Sequence, residues 1–199
     1  MKRSEPFDAS AISAEISIAR SEGRAMVAGA LDFLLHDDAL HEDDLAYFAF
    51  LERAQAMHIG VVDLVERGNP IASVTLLRAF AENLAVVYYL ADRPSEVQKL
   101  GPGATQGFPI GRVIAAANKS LPGFKDLYAH WSNIAHPSGK GGFHTLDVSD
   151  DGTFTWQSHP KFRSLDDAHQ ILDWLSDLCS LTRQIIVHTG ARLSNGTHD

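Results

Sequence analysis

The chain has 199 residues, of which 45% are hydrophobic and 21% are charged. This is the balance of an ordinary globular protein and predicts one domain with its own core. The formal net charge of −8 argues against a large nucleic-acid footprint, because phosphate binding needs clustered Lys and Arg. The one cysteine, Cys179, excludes an intrachain disulfide framework and predicts a reducing, cytoplasmic location.

No segment of the sequence has the pattern of a signal peptide or a membrane anchor. The N-terminal residues lack the continuous apolar core of a signal peptide. The most apolar stretch follows Pro70, and Arg78 and Glu82 interrupt it. We therefore expect a protein with no membrane partner.

The sequence of the first half of the chain predicts helices that are separated by short polar segments. One or two helices are expected over about residues 9–35. The clearest amphipathic helix covers 44–67, where apolar side chains recur at steps of three, four and seven. Asn69 and Pro70 then supply an N-cap and a first-turn proline for a helix over 71–90. That helix is apolar nearly all round, which predicts the central, most enclosed position.

The second half predicts shorter elements and one long final helix. Four glycines and two prolines indicate a loop over 101–111, followed by helices over 110–120 and 124–136. Pro137 should push His136 out of helical geometry. Two β-prone runs around an Asp-Gly turn predict a hairpin at about 142–158.

Ser164 and Asp167 resemble a capping box, and they should open a last helix that ends at about residue 188. The predicted fold is therefore mainly α, a helical bundle of about five to seven helices. A small β-hairpin is inserted before the last long helix. The whole chain, 1–199, is expected to form this single domain, with a loose tail at about 192–199.

The most informative polar residues lie inside the apolar helix. Arg78 and Glu82 are four residues apart and share a face, with Thr75 and Tyr89 near the same stripe. A charge on an enclosed helix is costly unless it is paired. One interpretation is a mutual ion pair that fixes the packing of the central helix. The alternative is a pair that lines a cleft and orients a ligand or a catalytic histidine.

A second polar stripe lies on the helix that ends before Pro137. Tyr128, Ser132 and His136 are spaced at i, i+4 and i+8. If this helix packs against the central one, Ser132, His136 and Glu82 could act as nucleophile, base and orienting group. The alternative is a buried polar network that specifies packing, because a serine in mid-helix often bonds only to its own backbone.

Four weaker features have simpler interpretations. His58 lies on an apolar helix face and is more often a core histidine than a ligand. Residues 36–44 are rich in His, Asp and Glu, but their spacing matches no metal motif and predicts a solvated joint. A metal site around His36 and His41 is the weaker alternative. The glycine-rich run 138–142 does not match a phosphate loop. Cys179 lies on an apolar stripe and should be inert.

Two segments carry a resemblance to a known group of proteins. Residues 71–82 read IASVTLLRAFAE, and residues 128–139 read YAHWSNIAHPSG. Both resemble the Arg-x-x-x-Glu and Ser-x-x-x-His-Pro segments of a group of uncharacterised bacterial all-helical proteins, over about 45–139. That group has no assigned activity to carry over.

A remoter resemblance is to the higher eukaryotes and prokaryotes nucleotide-binding (HEPN) domains. Many of those are dimeric RNases of toxin–antitoxin or phage-defence systems. Their signature is an arginine followed four to six residues later by a histidine on one helix. Here the residues four to six positions before His136 are Ser132, Trp131 and His130. The signature arginine is therefore missing, and its charge could be replaced by His130 only when protonated, or by Arg78 from a neighbouring helix.

These observations leave two hypotheses. The first is a homo-oligomeric binding or interaction module, expected to be a homodimer, in which Arg78, Glu82 and His136 organise the core or bind a small polar ligand. The second is a HEPN-like, metal-independent RNase or nucleotide-binding protein. In it His136 is the general acid–base, and Arg78 stabilises phosphate charge, with RNA as partner. The candidate site comprises His136, Arg78, Glu82, Ser132 and Tyr128, and neither hypothesis needs a cofactor or a metal.

Overall fold

The computed structural model describes residues 7–34, 42–100, 107–136, 146–149, 151–156 and 161–196. Those residues contain six α-helices, which confirms the prediction of a mainly α helical bundle. Two 3₁₀ segments, Ala9–Ile12 and Pro94–Leu100, precede the first helix and follow the third. The helices are α1 (Ser13–Leu34), α2 (Glu42–Glu66), α3 (Pro70–Ala91), α4 (Ile110–Ser120), α5 (Phe124–Ala135) and α6 (Leu165–Gly196).

Helix α3 lies at the centre of the bundle, as its apolar composition predicted. It contacts α2, α4, α5 and α6, and its side chains Leu77, Phe80 and Leu84 are completely buried. Within the described residues, α3 is the one helix long and apolar enough to cross a membrane. The other helices bury half of its most apolar window. The core helix of a soluble protein has the same property, so this observation is weak evidence for a membrane span.

The junction between α2 and α3 has the local structure that its sequence predicts. Gly68 adopts a positive φ of 72°, a conformation that glycine adopts without steric cost and that commonly ends a helix. The Asn69 side chain then accepts a hydrogen bond from the backbone N–H of Ala72 at 3.1 Å. Pro70 occupies the first turn, where its missing N–H removes no helical hydrogen bond.

Helix α6 packs along α1 and also contacts α2 and α3. Ser164 caps it by accepting a hydrogen bond from the backbone N–H of Asp167 at 3.2 Å. The helix continues to Gly196, beyond the predicted end near residue 188. Ala, Arg and Leu at 191–193 are strong helix formers, and no proline follows them. The helix therefore extends into the segment that the sequence predicts to be a loose tail.

The predicted hairpin lies only partly within the described residues. Leu146–Val148 (β1) and Phe154–Trp156 (β2) form an antiparallel pair with Leu146 opposite Trp156. Gly152 in the connecting turn has a φ of 80°. These strands have three residues each and add no layer to the bundle. The rest of the region at about 142–158 lies largely outside the described residues, so the full hairpin stays a prediction.

Candidate functional site

The seam between α3 and α5 brings together four of the five residues of the candidate site. Arg78 and Glu82 lie one turn apart on α3, and the distance from Nη2 of Arg78 to Oε1 of Glu82 is 2.8 Å. Their side chains are 23% and 29% exposed. The ion pair is therefore largely shielded from water. Solvent and salt weaken its electrostatic attraction less than they weaken that of an exposed surface pair.

Arg78 also reaches across the seam to α5. Its Nε donates a hydrogen bond to Oγ of Ser132 at 2.9 Å, and its Nη2 donates to the phenol oxygen of Tyr128 at 2.5 Å. The guanidinium carbon lies 5.0 Å from the centre of the Tyr128 ring, within the range of a cation–π contact. One arginine therefore joins two helices whose contacting residues are more than 40 positions apart.

Two further hydrogen bonds close this arrangement. The phenol of Tyr128 donates to Oε1 of Glu82 at 2.6 Å, and the hydroxyl of Ser132 donates to the backbone carbonyl of Tyr128 at 2.9 Å. We call Arg78, Glu82, Tyr128 and Ser132 the Arg78 network. Burial, and after it the hydrogen bond and negative charge of Glu82, raises the pKa of Tyr128. The phenol therefore stays protonated and can act as the donor.

His136 lies outside the Arg78 network. Its backbone is extended, with φ −84° and ψ 148°, and its backbone N–H donates to the carbonyl of Ser132 at 3.0 Å. The side chain is exposed, and its imidazole forms no hydrogen bond or ion pair with another residue that the structure describes. The extended geometry before Pro137 was predicted correctly. The predicted helical stripe through His136 ends one turn earlier because a residue in that geometry leaves the helix.

The hydrogen bonds of the Arg78 network join two helices and do not activate a nucleophile. A serine nucleophile needs a neighbouring base to take its proton. The Ser132 hydroxyl instead donates to a backbone carbonyl and accepts from a guanidinium, an arrangement that withdraws electron density from the oxygen. Glu82 accepts from Tyr128 and Arg78, and it forms no hydrogen bond with Ser132. The arrangement holds two helices together by charge-assisted hydrogen bonds.

Sequence reasoning missed a second polar cluster, at the C-terminal end of α3. The phenol of Tyr89 donates to the two carboxylate oxygens of Glu96 at 3.1 and 3.0 Å. The guanidinium carbons of Arg93 and Arg112 lie 4.5 and 5.5 Å from the centre of the Tyr89 ring. We call these four residues the Tyr89 cluster. The spacing of Tyr89, Arg93 and Glu96 at i, i+4 and i+7 was the signal that could have revealed it.

Two of the weaker features are confirmed as structural. His58 is buried, and its Nε2–H donates to the carbonyl of Ala19 at 3.0 Å. Burial lowers its pKa, so the ring is neutral at physiological pH. Gly23 leaves the space that this ring occupies, since a Cβ there would lie 2.3 Å from it. Cys179 is buried, which raises the pKa of its thiol to about 12 and makes it a poor nucleophile.

The other two weaker features are not tested by the described geometry. The glycine-rich run 138–142 lies outside the described residues, and so does most of the acidic and histidine-rich run 36–44. Across the part of the chain that the structure describes, no group of three His, Cys, Asp or Glu side chains could hold a metal ion.

A scan against models of known protein families finds no match, and searches of the curated proteins and of the solved structures find no significant match.

Proposed function

We propose that this protein is a non-catalytic helical interaction module that works as a homo-oligomer, in which the Arg78 network holds α5 against α3. The proposal that the protein is non-catalytic depends on the hydrogen bonds formed by the hydroxyl groups of Ser132 and Tyr128. Ser132 and Tyr128 both donate within the Arg78 network, and the exposed imidazole of His136 forms no hydrogen bond with it among the described residues. The residues available for catalysis are therefore used to fix packing.

An apolar groove between α2 and α3 supports self-association. It has a volume of about 620 Å³, and none of its lining residues carries a charge. Each chain has a net charge of −8, so two copies repel each other electrostatically. That repulsion is least when the uncharged groove of one copy faces the same groove of the other. Closed symmetric dimers pair the same patch on both subunits. The groove is lined by Leu64, Asn69, Ile71, Ala72, Thr75, Leu76 and Ala79.

The mass of the protein in solution tests this proposal. Thr75 is an exposed residue that lines the groove, so Thr75→Arg should leave the folded chain intact and place a charge at the interface. We expect size-exclusion chromatography with light scattering to give a dimer mass for the wild type and a monomer mass for Thr75→Arg. Ala129→Arg, at an exposed position of α5, is the matched control and should remain a dimer. A monomeric wild type would contradict the proposal.

RNA cleavage separates this proposal from the RNase alternative. The proposal predicts that purified protein does not cleave single-stranded RNA. It also predicts that His136→Ala melts at the wild-type temperature, because the imidazole is exposed. Cleavage by the wild type that is lost in a folded His136→Ala variant would instead establish the HEPN-like alternative.

Three expectations from the sequence belong to the same proposal. They are a cytoplasmic location, the likeness to the uncharacterised bacterial helical group, and a complete hairpin at about 142–158. The buried, unreactive Cys179 is compatible with the first. The antiparallel pairing of Leu146–Val148 with Phe154–Trp156 is compatible with the last.

A further inference from the structure

A separate cavity lies where the first turn of α3, the outer face of α5 and the start of α6 meet. Its volume is about 330 Å³, which is within the range of small-molecule sites in proteins. No member of the Arg78 network or of the Tyr89 cluster lines it. Its wall is apolar and partly aromatic, formed by Ile71, Val74, Ile134, Phe162, Ile171 and Trp174.

Lysine, arginine and aspartate side chains line this cavity, together with the amide of Gln170. Lys161 and Arg163 carry two positive charges against the one negative charge of Asp167. This local excess stands out in a chain whose net charge is −8. His130 also lines the cavity, and its ring lies 5.7 Å from that of Trp174 in an edge-on arrangement. The cavity therefore combines a hydrophobic wall with a positive mouth.

The two helices that begin at the cavity add to its positive potential. Pro70 at the start of α3 and Asp167 in the first turn of α6 both line it. A helix N-terminus carries a partial positive charge, which favours a nearby anion. Here that contribution is secondary, because the Asn69 and Ser164 side chains already cap the two helices.

We infer that this cavity binds a small amphipathic anion, namely an aromatic hydrocarbon that carries one acidic group. The aromatic body lies against Trp174, Ile134 and Ile171, and the acidic group faces Lys161 at the mouth. A neutral ligand of the same shape would bury the same apolar surface without the ionic contact. A ligand with a second charge would have to desolvate that charge against the apolar wall. The cavity shares Ile71 with the groove between α2 and α3, but the inference does not depend on self-association.

Anilinonaphthalene sulfonate tests the inference, because it combines an aromatic body with one negative group and becomes fluorescent when it is desolvated. N-phenylnaphthylamine is its neutral counterpart. We expect one sulfonate-binding site per chain. Lys161→Glu should raise the Kd of the anion roughly tenfold and leave that of the neutral dye within about twofold, since the apolar wall is unchanged. Ile134→Trp, which fills the cavity, should weaken both dyes.

The larger open groove between α1 and α6 provides the matched control. It is lined by Arg183 and Glu22 among others, so Arg183→Glu makes the same change of charge at a different concave surface. This variant should bind both dyes like the wild type. The inference is overturned if Arg183→Glu weakens the anion as much as Lys161→Glu does, or if Ile134→Trp leaves both dyes unaffected in a folded protein.

Discussion

The two polar clusters on α3 each combine a tyrosine, a glutamate and an arginine, and they differ in what they connect. In both, a tyrosine phenol donates to a glutamate and an arginine lies over the ring. In the Arg78 network the tyrosine comes from α5, more than 40 positions along the chain. In the Tyr89 cluster the hydrogen-bonded residues, Tyr89 and Glu96, are only seven positions apart.

The two clusters also differ in shielding and in the length of their ion pairs. Arg78 is 23% exposed and lies 2.8 Å from Glu82, whereas Arg112 is 63% exposed and lies 4.0 Å from Glu96. A short, shielded pair with further hydrogen bonds contributes more to stability than a long, exposed one. The comparison indicates that the Arg78 network stabilises the bundle and that the outer arginine of the Tyr89 cluster contributes little.

The largest expected difference between the clusters is in the free energy of unfolding after one arginine of each cluster is replaced. Arg78→Leu should lower the free energy of unfolding by about 2–3 kcal/mol, because the partly buried Glu82 and the hydroxyl groups of Tyr128 and Ser132 each lose their contact with the guanidinium. Arg112→Leu should change it by less than about 0.5 kcal/mol. Urea denaturation followed by circular dichroism measures both. Equal losses in the two variants would show that the clusters are equivalent.

Removing both charges of the Arg78 network should cost less than removing the arginine alone. In Arg78→Leu/Glu82→Leu no unpaired charge stays on the enclosed helix, so we expect about 1 kcal/mol of the single-variant loss to return. The same urea titration measures it. A double variant less stable than Arg78→Leu would mean that Glu82 has another stabilising partner.

The pH dependence should show a smaller effect of the same network. The pKa of Tyr128 is raised in the folded protein above its ordinary value of 10.0, so the unfolded chain loses this proton first as the pH rises. The stability associated with the protonated phenol is therefore complete below pH 10 and decreases above it. Tyr128→Phe should flatten the decline between pH 9 and 11, measured as melting temperature against pH. An unchanged slope would contradict a raised pKa.

The sequence predicted part of the Arg78 network because a charge inside an apolar helix is conspicuous. The spacing of Arg78 and Glu82, and of Tyr128 and Ser132, placed each pair on one helix face. The contact between those two faces was only an assumption, since periodicity identifies the face of a helix but not its neighbour. His136 was assigned to the same stripe although its position before Pro137 already predicted that it would leave the helix.

The Tyr89 cluster was not predicted from the sequence, for a different physical reason. A tyrosine on an apolar helix is expected in the core, and Tyr89 is indeed buried. Its partners Glu96 and Arg112 come from the 3₁₀ segment after α3 and from α4. Their approach depends on the path of the chain after Asp92, which is determined by tertiary packing and not by local propensity.

The central claim is that the Arg78 network couples α3 to α5, and a double-mutant cycle between Arg78→Leu and Tyr128→Phe tests it most directly. The hydrogen bond and the cation–π contact between these side chains predict a coupling of about 1 kcal/mol or more in the free energy of unfolding. Two single losses that add to the loss of the double variant, within about 0.3 kcal/mol, would contradict the account.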